Sequence, residues 1–176
     1  SEWSLLSLLA RVNYTYSGKY LFSATMRRDG SSRFGARNKW GTFPSASVGW
    51  YLSEENFMKS QHVVTDLKLR ASYGLAGNNT IGNYNHIGLL SNRRYSFGAG
   101  TGSLAYGLYP SSISNEQLGW EMMHQFDIGA DFALLRNRVS LTIDYYNKNT
   151  TDLLLNVPVP ASTGYETALQ NIGKLN

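Results

Sequence analysis

Apolar and polar residues alternate with a period of two along much of the chain. That period is the mark of a β-strand with one face on an apolar neighbour. The first such stretch runs from about Leu8 to Tyr16. Leu8, Ala10, Val12, Tyr14 and Tyr16 share one face, and Leu9, Arg11, Asn13 and Thr15 share the other. After Ser17-Gly18-Lys19 a second stretch sets Tyr20, Phe22, Ala24 and Met26 against Leu21, Ser23, Thr25 and Arg27. The pair predicts a hairpin. A third strand is predicted over Phe43–Leu52, with Ala46, Val48, Trp50 and Leu52 on one face. A fourth is predicted over Asp66–Leu75, with Leu67, Leu69, Ala71 and Tyr73 opposite Lys68, Arg70 and Ser72. Between these two, Ser53–Ser60 predicts one helical turn capped by Ser53. Trp120–Leu134 sets Phe126, Ile128, Ala130 and Phe132 against Gln125, Asp127, Gly129 and Asp131. A tight turn, Leu135-Arg136-Asn137, leads to a strand over Arg138–Lys148, with Val139, Leu141, Ile143 and Tyr145 opposite Ser140, Thr142, Asp144 and Tyr146.

The remainder is less periodic. Arg28–Gly41 is a basic, glycine-rich loop. Ala76–Gly119 is rich in Gly, Asn and Ser, with short strand-like pieces at Asn85–Leu90, Tyr95–Phe97 and Leu104–Tyr109. The tail from Thr150 to Asn171 contains Pro158 and Pro160 and predicts a long loop with short extended pieces.

Periodicity alone leaves open whether the apolar faces meet a protein core or lipid. Mid-strand charges fit both. Loop length favours lipid: Ser17–Lys19 and Leu135–Asn137 are short and share one end, while Arg28–Gly41 and Thr150–Asn171 are long. Aromatics also gather at strand ends. Tyr14, Tyr16, Tyr20, Phe22 and Phe132 lie near the short turns, and Tyr73, Trp120, Tyr145 and Tyr146 lie towards the other end. The clearer strands reach the roughly 9–11 residues that a tilted membrane strand requires. Strand direction then demands an even number of spanning strands between Ala76 and Gly119, either none or two.

Composition narrows the function. The 176 residues carry 16 Lys+Arg against 12 Asp+Glu, a net charge of +4. Mean hydropathy is −0.31, and no apolar run approaches the roughly 20 residues of a membrane helix. With no cysteine there is neither a disulfide framework nor a thiol nucleophile. Nothing at Ser1-Glu2-Trp3 resembles a signal peptide, and the chain is expected to be mature, trimmed or a piece of something longer. Asp127, Asp131 and Asp144 share a face, but same-face acids lie on barrel walls without catalysis, and no glycosidase motif accompanies them. His62, His86 and His124 lack metal-ligand spacing. Gly100–Ala105, "GTGSLA", mimics a dinucleotide fingerprint but opens no helix. No nucleic-acid-binding signature is present.

Seven segments, in order along nearly the whole chain, resemble the SusC/RagA family of TonB-linked outer-membrane receptors. They are "RRDGSSRFG" (Arg27–Gly35), "WGTFPSASVGW" (Trp40–Trp50), "LKLRASYGLAGNN" (Leu67–Asn79), "IGNY" (Ile81–Tyr84), "LGWE" (Leu118–Glu121), "DYYNKNTTDLLLNVPVPASTGY" (Asp144–Tyr165) and "NIG" (Asn171–Gly173). Asn115-Glu116 stands where the family usually has Asn-Pro. The resemblance implies an all-β, antiparallel up-and-down meander forming about 6–8 strands of a 22-stranded transmembrane barrel in the outer membrane of a Gram-negative, Bacteroidetes-like cell. It implies TonB-driven import of glycans or peptides with a SusD-type surface lipoprotein. The plug, the TonB-contacting segment and the closing strand have no counterpart in residues 1–176. It implies no cofactor, no catalysis and no nucleic-acid partner.

On this reading Arg11, Asn13, Arg27, Lys68, Arg70, Gln125, Asp127, Asp131 and Asp144 face the lumen. Val12, Phe22, Ala24, Val48, Leu69, Ile128, Leu141 and Ile143 face lipid. Arg33, Phe34, Arg37 and Trp40, in an extracellular loop, contact the ligand. The competing expectation is a soluble, secreted antiparallel β domain that binds carbohydrate on Trp and Tyr platforms. It requires the apolar row to be buried under a second layer.

Overall fold

The computed structural model describes residues 2–60, 63–96, 98, 104–165 and 167–176. His62, Phe97 and part of the "GTGSLA" stretch lie outside them. Six long strands dominate: β1 (Leu5–Tyr16), β2 (Tyr20–Ser31), β3 (Trp40–Tyr51), β4 (Val64–Asn78), β7 (Glu121–Leu134) and β8 (Val139–Thr151). Between β4 and β7 the chain forms β5 (Leu90–Ser96) and β6 (Leu104–Pro110). After β8 come β9 (Leu154–Pro158), β10 (Thr167–Asn171) and β11 (Lys174–Leu175). The main sheet is a seven-stranded antiparallel meander, β1-β2-β3-β4-β7-β8-β11. Among the described residues, β5 pairs with β6 and β9 with β10, apart from the main sheet. Among the described residues, the stretch between Ala76 and Gly119 therefore adds no strand to the main sheet, the even outcome that strand direction allows. Asn85 and His86 end a turn, Ile87–Leu89 are irregular, and the strand there begins at Leu90.

The register carries the sequence period intact across the sheet. Directly opposed residues in an antiparallel pair point to the same face. One row joins Tyr14, Phe22, Val48, Ala71, Ile128 and Tyr145, and the next joins Tyr16, Tyr20, Trp50, Leu69, Ala130 and Ile143. On the other face, one row joins Asn13, Ser23, Ser47, Ser72, Asp127 and Tyr146. A slip of one residue in any pair would mix these sets.

Turn chemistry fixes that register. Ser17 and Gly18 both have left-handed φ, 52° and 68°, the backbone twist that closes the tight turn between Tyr16 and Tyr20. Lys19 N–H donates to the Tyr16 carbonyl at 3.0 Å. Leu135, Arg136 and Asn137 are all left-handed, and Arg138 N–H returns to the Leu134 carbonyl at 3.1 Å. Proline in a strand removes a donor. Pro44 is placed where β3 leaves β4, since the ladder between them ends at Ser45 and Gly74.

The helical turn predicted with Ser53 as cap takes another form. A 3₁₀ turn covers Leu52–Glu54, with Tyr51 at the cap position and no side-chain cap bond. The Ser53 hydroxyl instead donates to Asp66 Oδ1 at 2.8 Å.

The buried core lies at the long-loop end and is assembled from loop residues and strand ends. It comprises Phe34, Phe43, Ile81, Leu118 and Trp120, with Leu75, Met122, Leu154 and Leu169 packed on it. Trp120 is buried there, so it does not join an exposed aromatic girdle. Tyr146 also leaves that girdle, because its register partner is Asp127 on the polar face.

Candidate functional site: a polar face and a loop cluster

The polar face is a chain of short-range pairings. Arg70 Nε donates to Asp131 Oδ2 at 3.0 Å, and its Nη2 reaches Asp144 Oδ1 at 2.7 Å. Thr142 Oγ1 donates to Asp131 Oδ1 at 3.1 Å. Gly129 lies between β4 and β8 at this point, and a Cβ there would meet both the Arg70 guanidinium and Asp144. The glycine is what lets one arginine span two neighbouring strands. Ser72 Oγ donates to Asp127 Oδ2 at 3.3 Å, and Gln125 Nε2 donates to the same carboxylate at 2.9 Å. Arg11 Nε donates to Thr25 Oγ1 at 3.0 Å, and Asn13 is opposed to Ser23. Lys68 lies 5.1 Å from the Tyr51 ring centroid and is opposed to Asp131. Arg27 pairs with buried Asp29 at 2.7 Å and lies 5.5 Å from the Phe43 ring centroid. Thus Arg11, Asn13, Arg27, Lys68, Arg70, Gln125, Asp127, Asp131 and Asp144 all stand on one face. Hollows of about 400 and 430 Å³ open there. Asp131 and Asp144 are both taken up by the Arg70 guanidinium.

Among the described residues, none covers the opposite face. Val12 is 63% exposed, Val48 52%, Leu69 37%, Ile128 49% and Leu141 49%. Phe22 and Ile143 are likewise exposed, and Ala24 lies between Val12 and Ala46 in the same row. Among the described residues, the second layer required by the carbohydrate-binding alternative is not found over this row.

The four loop residues separate. Arg33 stacks 4.2 Å from the Trp3 ring centroid. Its Nε donates to Asn83 Oδ1 at 3.1 Å and its Nη1 to the Asn79 carbonyl at 3.2 Å. His86 Nδ1 donates to the Arg33 carbonyl at 3.0 Å. Arg37 is exposed. Phe34 is 1% exposed and packs 5.3 Å from the Trp120 ring, so it offers a ligand no surface. Trp40 opens β3 opposite Gly30, on the apolar-face register, with Arg28 5.3 Å from its ring. It is thus the first residue of a strand and not part of the preceding loop. A lone Phe and a Trp in a basic loop read as contacts from sequence because nothing local gives their burial or register.

Sequence reasoning missed three anchors. Trp3 is the platform under Arg33. Asn171 clasps Gly119 twice, accepting from its N–H at 2.8 Å and donating to its carbonyl at 2.9 Å, which ties the tail to the turn before β7. At the short-turn end Glu55 accepts from Tyr20 OH at 2.7 Å, Trp50 Nε1 at 3.2 Å and Lys19 Nζ at 3.2 Å. The Tyr20 hydrogen bond first, then those from Trp50 and Lys19, holds the Glu55 carboxyl below the ordinary value.

Residues 3–176 match the family described as TonB dependent receptor-like, beta-barrel. The chain belongs to this family. A TonB-dependent receptor of Formosa agariphila is 45% identical over 172 residues, covering 98% of this chain and 16% of that protein. TonB-dependent receptor SusC of Bacteroides thetaiotaomicron is 40% identical over 178 residues, covering 98% of this chain and 17% of that one. The solved RagAB peptide transporter superposes with a TM-score of 0.87 at 34% identity, over 99% of this chain and 19% of that one. The siderophore receptor PirA from Pseudomonas aeruginosa shares only the fold, with a TM-score of 0.61 at 15% identity over 99% of this chain and 29% of that one. The chain thus spans 16% and 17% of the curated relatives it matches, and it forms part of a SusC/RagA-type receptor barrel in the outer membrane. The long exposed strands are a barrel wall. The family is one of receptors rather than enzymes.

Proposed function

We propose that this wall serves an importer of glycans or peptides that works with a SusD-type surface lipoprotein and is energised by TonB through stretches outside residues 1–176. The observation that carries the reading is the likeness to the RagAB peptide transporter, at 34% identity over 99% of the chain. The relation to SusC at 40% identity supports it. The paired charges from Arg11 to Asp144 line the water-filled side, and the row through Val12, Val48 and Ile128 rests on acyl chains. Arg33 and Arg37 stand at the outer mouth, where arriving ligand first meets the wall. A barrel with wet, charged walls and a dry outside keeps every strand hydrogen bond satisfied in lipid while a polar solute passes within.

The test is deletion of the full gene in its native host, followed by uptake assays with glycan and peptide mixtures and by detergent purification of the tagged receptor. Loss of uptake of one substrate class, restored by the gene, together with co-purification of a surface lipoprotein, is expected. Unchanged uptake of both classes and a receptor that purifies alone would overturn the proposal.

A further inference from the structure

The connection between β3 and β4 does not hang free below the barrel. Its Glu55 reaches back to Tyr20 and Trp50, which stand side by side on the apolar face with rings 6.2 Å apart. Lys19, from the neighbouring hairpin turn, completes the clasp. The segment is therefore held to the outer side of the wall. Beyond the clasp, Met58 N–H closes a turn on the Glu55 carbonyl at 3.0 Å, and Phe57 stands at its third position, 64% exposed. Exposed apolar side chains continue along the same end. Val63 is 60% and Leu135 54% exposed, joined by a hydrogen bond from Leu135 N–H to the Val63 carbonyl at 2.9 Å. A hollow of about 540 Å³ on the apolar face, walled by Tyr16, Tyr20, Trp50 and Leu69, lies directly above the clasp.

We infer that the 52–60 connection is a lipid-interface anchor, pinned to the apolar face by Glu55 so that Phe57 sits at the boundary between phospholipid headgroups and acyl chains. The occupant is the phospholipid of the short-turn leaflet. Continuity supports this choice. The clasp joins the turn to aromatics that already belong to the membrane-facing wall, and Tyr and Trp are favoured at that depth because each has an apolar body and a polar tip. Here both polar tips, Tyr20 OH and Trp50 Nε1, are spent on Glu55, so a protein carboxylate stands where water or a headgroup would otherwise accept. Lys59, exposed in the same segment, supplies a cation for lipid phosphates. The inference rests on the outer-membrane placement of the wall and not on the identity of the transported solute.

The experiment uses the full-length receptor in phosphatidylethanolamine–phosphatidylglycerol vesicles, carrying an environment-sensitive fluorophore on Phe57→Cys. Residues 1–176 contain no cysteine, and any elsewhere in the receptor is replaced. A second receptor carries the label on Asn137→Cys, at the tip of the next turn. The label at 57 is expected to emit to the blue of that at 137, to be quenched by a lipid bearing a nitroxide high on its acyl chain, and to be shielded from aqueous iodide. Adding Glu55→Ala, which removes the acceptor for both Tyr20 and Trp50, is expected to shift emission at 57 to the red and raise its iodide quenching while leaving the label at 137 unchanged. If the label at 57 is quenched by iodide as strongly as that at 137 and is blind to the nitroxide lipid, the turn projects into water or onto a soluble partner and the inference fails. If 57 is lipid-exposed but indifferent to Glu55→Ala, the clasp is not its anchor, and that part of the inference fails.

Discussion

Lysine at Ile128 should be among the most damaging exposed substitutions in the wall. Ile128 lies mid-strand in β7, beside Ala71 on β4 and Tyr145 on β8, and is 49% exposed. In a water-soluble protein, such a half-exposed site would tolerate lysine within about 0.5 kcal/mol. Against the middle of a bilayer, lysine on the lipid face of a barrel costs about 2–4 kcal/mol. That range is roughly a 30- to 900-fold change in the folding equilibrium, at about 1.36 kcal/mol per tenfold. Ser72→Lys is the internal control. Ser72 is one register step away on the opposite face, bonded to Asp127 at 3.3 Å, and a lysine there gains a carboxylate neighbour. The assay is urea titration of the full-length receptor refolded into vesicles, with the folded fraction read by heat-modifiable migration and protease protection. Ile128→Lys is expected to lower stability by about 2–4 kcal/mol and Ser72→Lys by less than about 0.5 kcal/mol. Equal effects from the two lysines, or a near-silent Ile128→Lys, would refute the assignment of faces.

Three further outcomes follow from the loop core and the clasp. Phe34→Ala empties a fully buried ring site beside Trp120, a change that typically costs about 3–5 kcal/mol; it should open the long-loop end to protease while the wall keeps its heat-modifiable migration. Gly77→Ala drives a Cβ into the buried Phe43 ring; at about 1–3 kcal/mol it should produce the same cleavage pattern more weakly, measured by limited proteolysis and mass spectrometry. Glu55 is held below its ordinary carboxyl value, so its contribution is complete above that ordinary value and is lost as pH falls through the lowered one; a fluorophore at 57 should therefore hold constant emission through neutral pH and redden only in acid.

The wall was legible in the sequence because its physics is local. Each strand sets one residue per step against a fixed solvent, so Ile128 and Asp127 declare their faces without knowledge of their neighbours. The short turns were equally plain, as Ser17-Gly18 and Leu135-Arg136-Asn137 adopt the left-handed backbone that tight reversals require. Strand ends were less so. β1 begins at Leu5 rather than Leu8, since Leu5-Leu6 and Leu8-Leu9 break the alternation, and β2 continues through the polar residues Arg28–Ser31 because it pairs there with both β1 and β3. The loop cluster was not legible at all. Phe34, Ile81 and Leu118 each come from a different loop, with no period to mark them, and only the folded chain brings them together. Trp40 was misread for the same reason: its face depends on pairing with Gly30, which a loop reading of Arg28–Gly41 does not contain. Ser53 illustrates competition, since its hydroxyl finds Asp66 across the turn rather than its own helical N–H groups.

The most direct measurement is a nitroxide scan of Val139–Tyr146 on β8 in the full receptor in vesicles, reading collision with lipid-soluble oxygen and with a water-soluble nickel chelate. Odd positions 139, 141, 143 and 145 should favour oxygen and even positions 140, 142, 144 and 146 should favour the chelate, a strict period of two. A flat profile, or oxygen favouring the even positions, would mean that the apolar row does not meet the acyl chains.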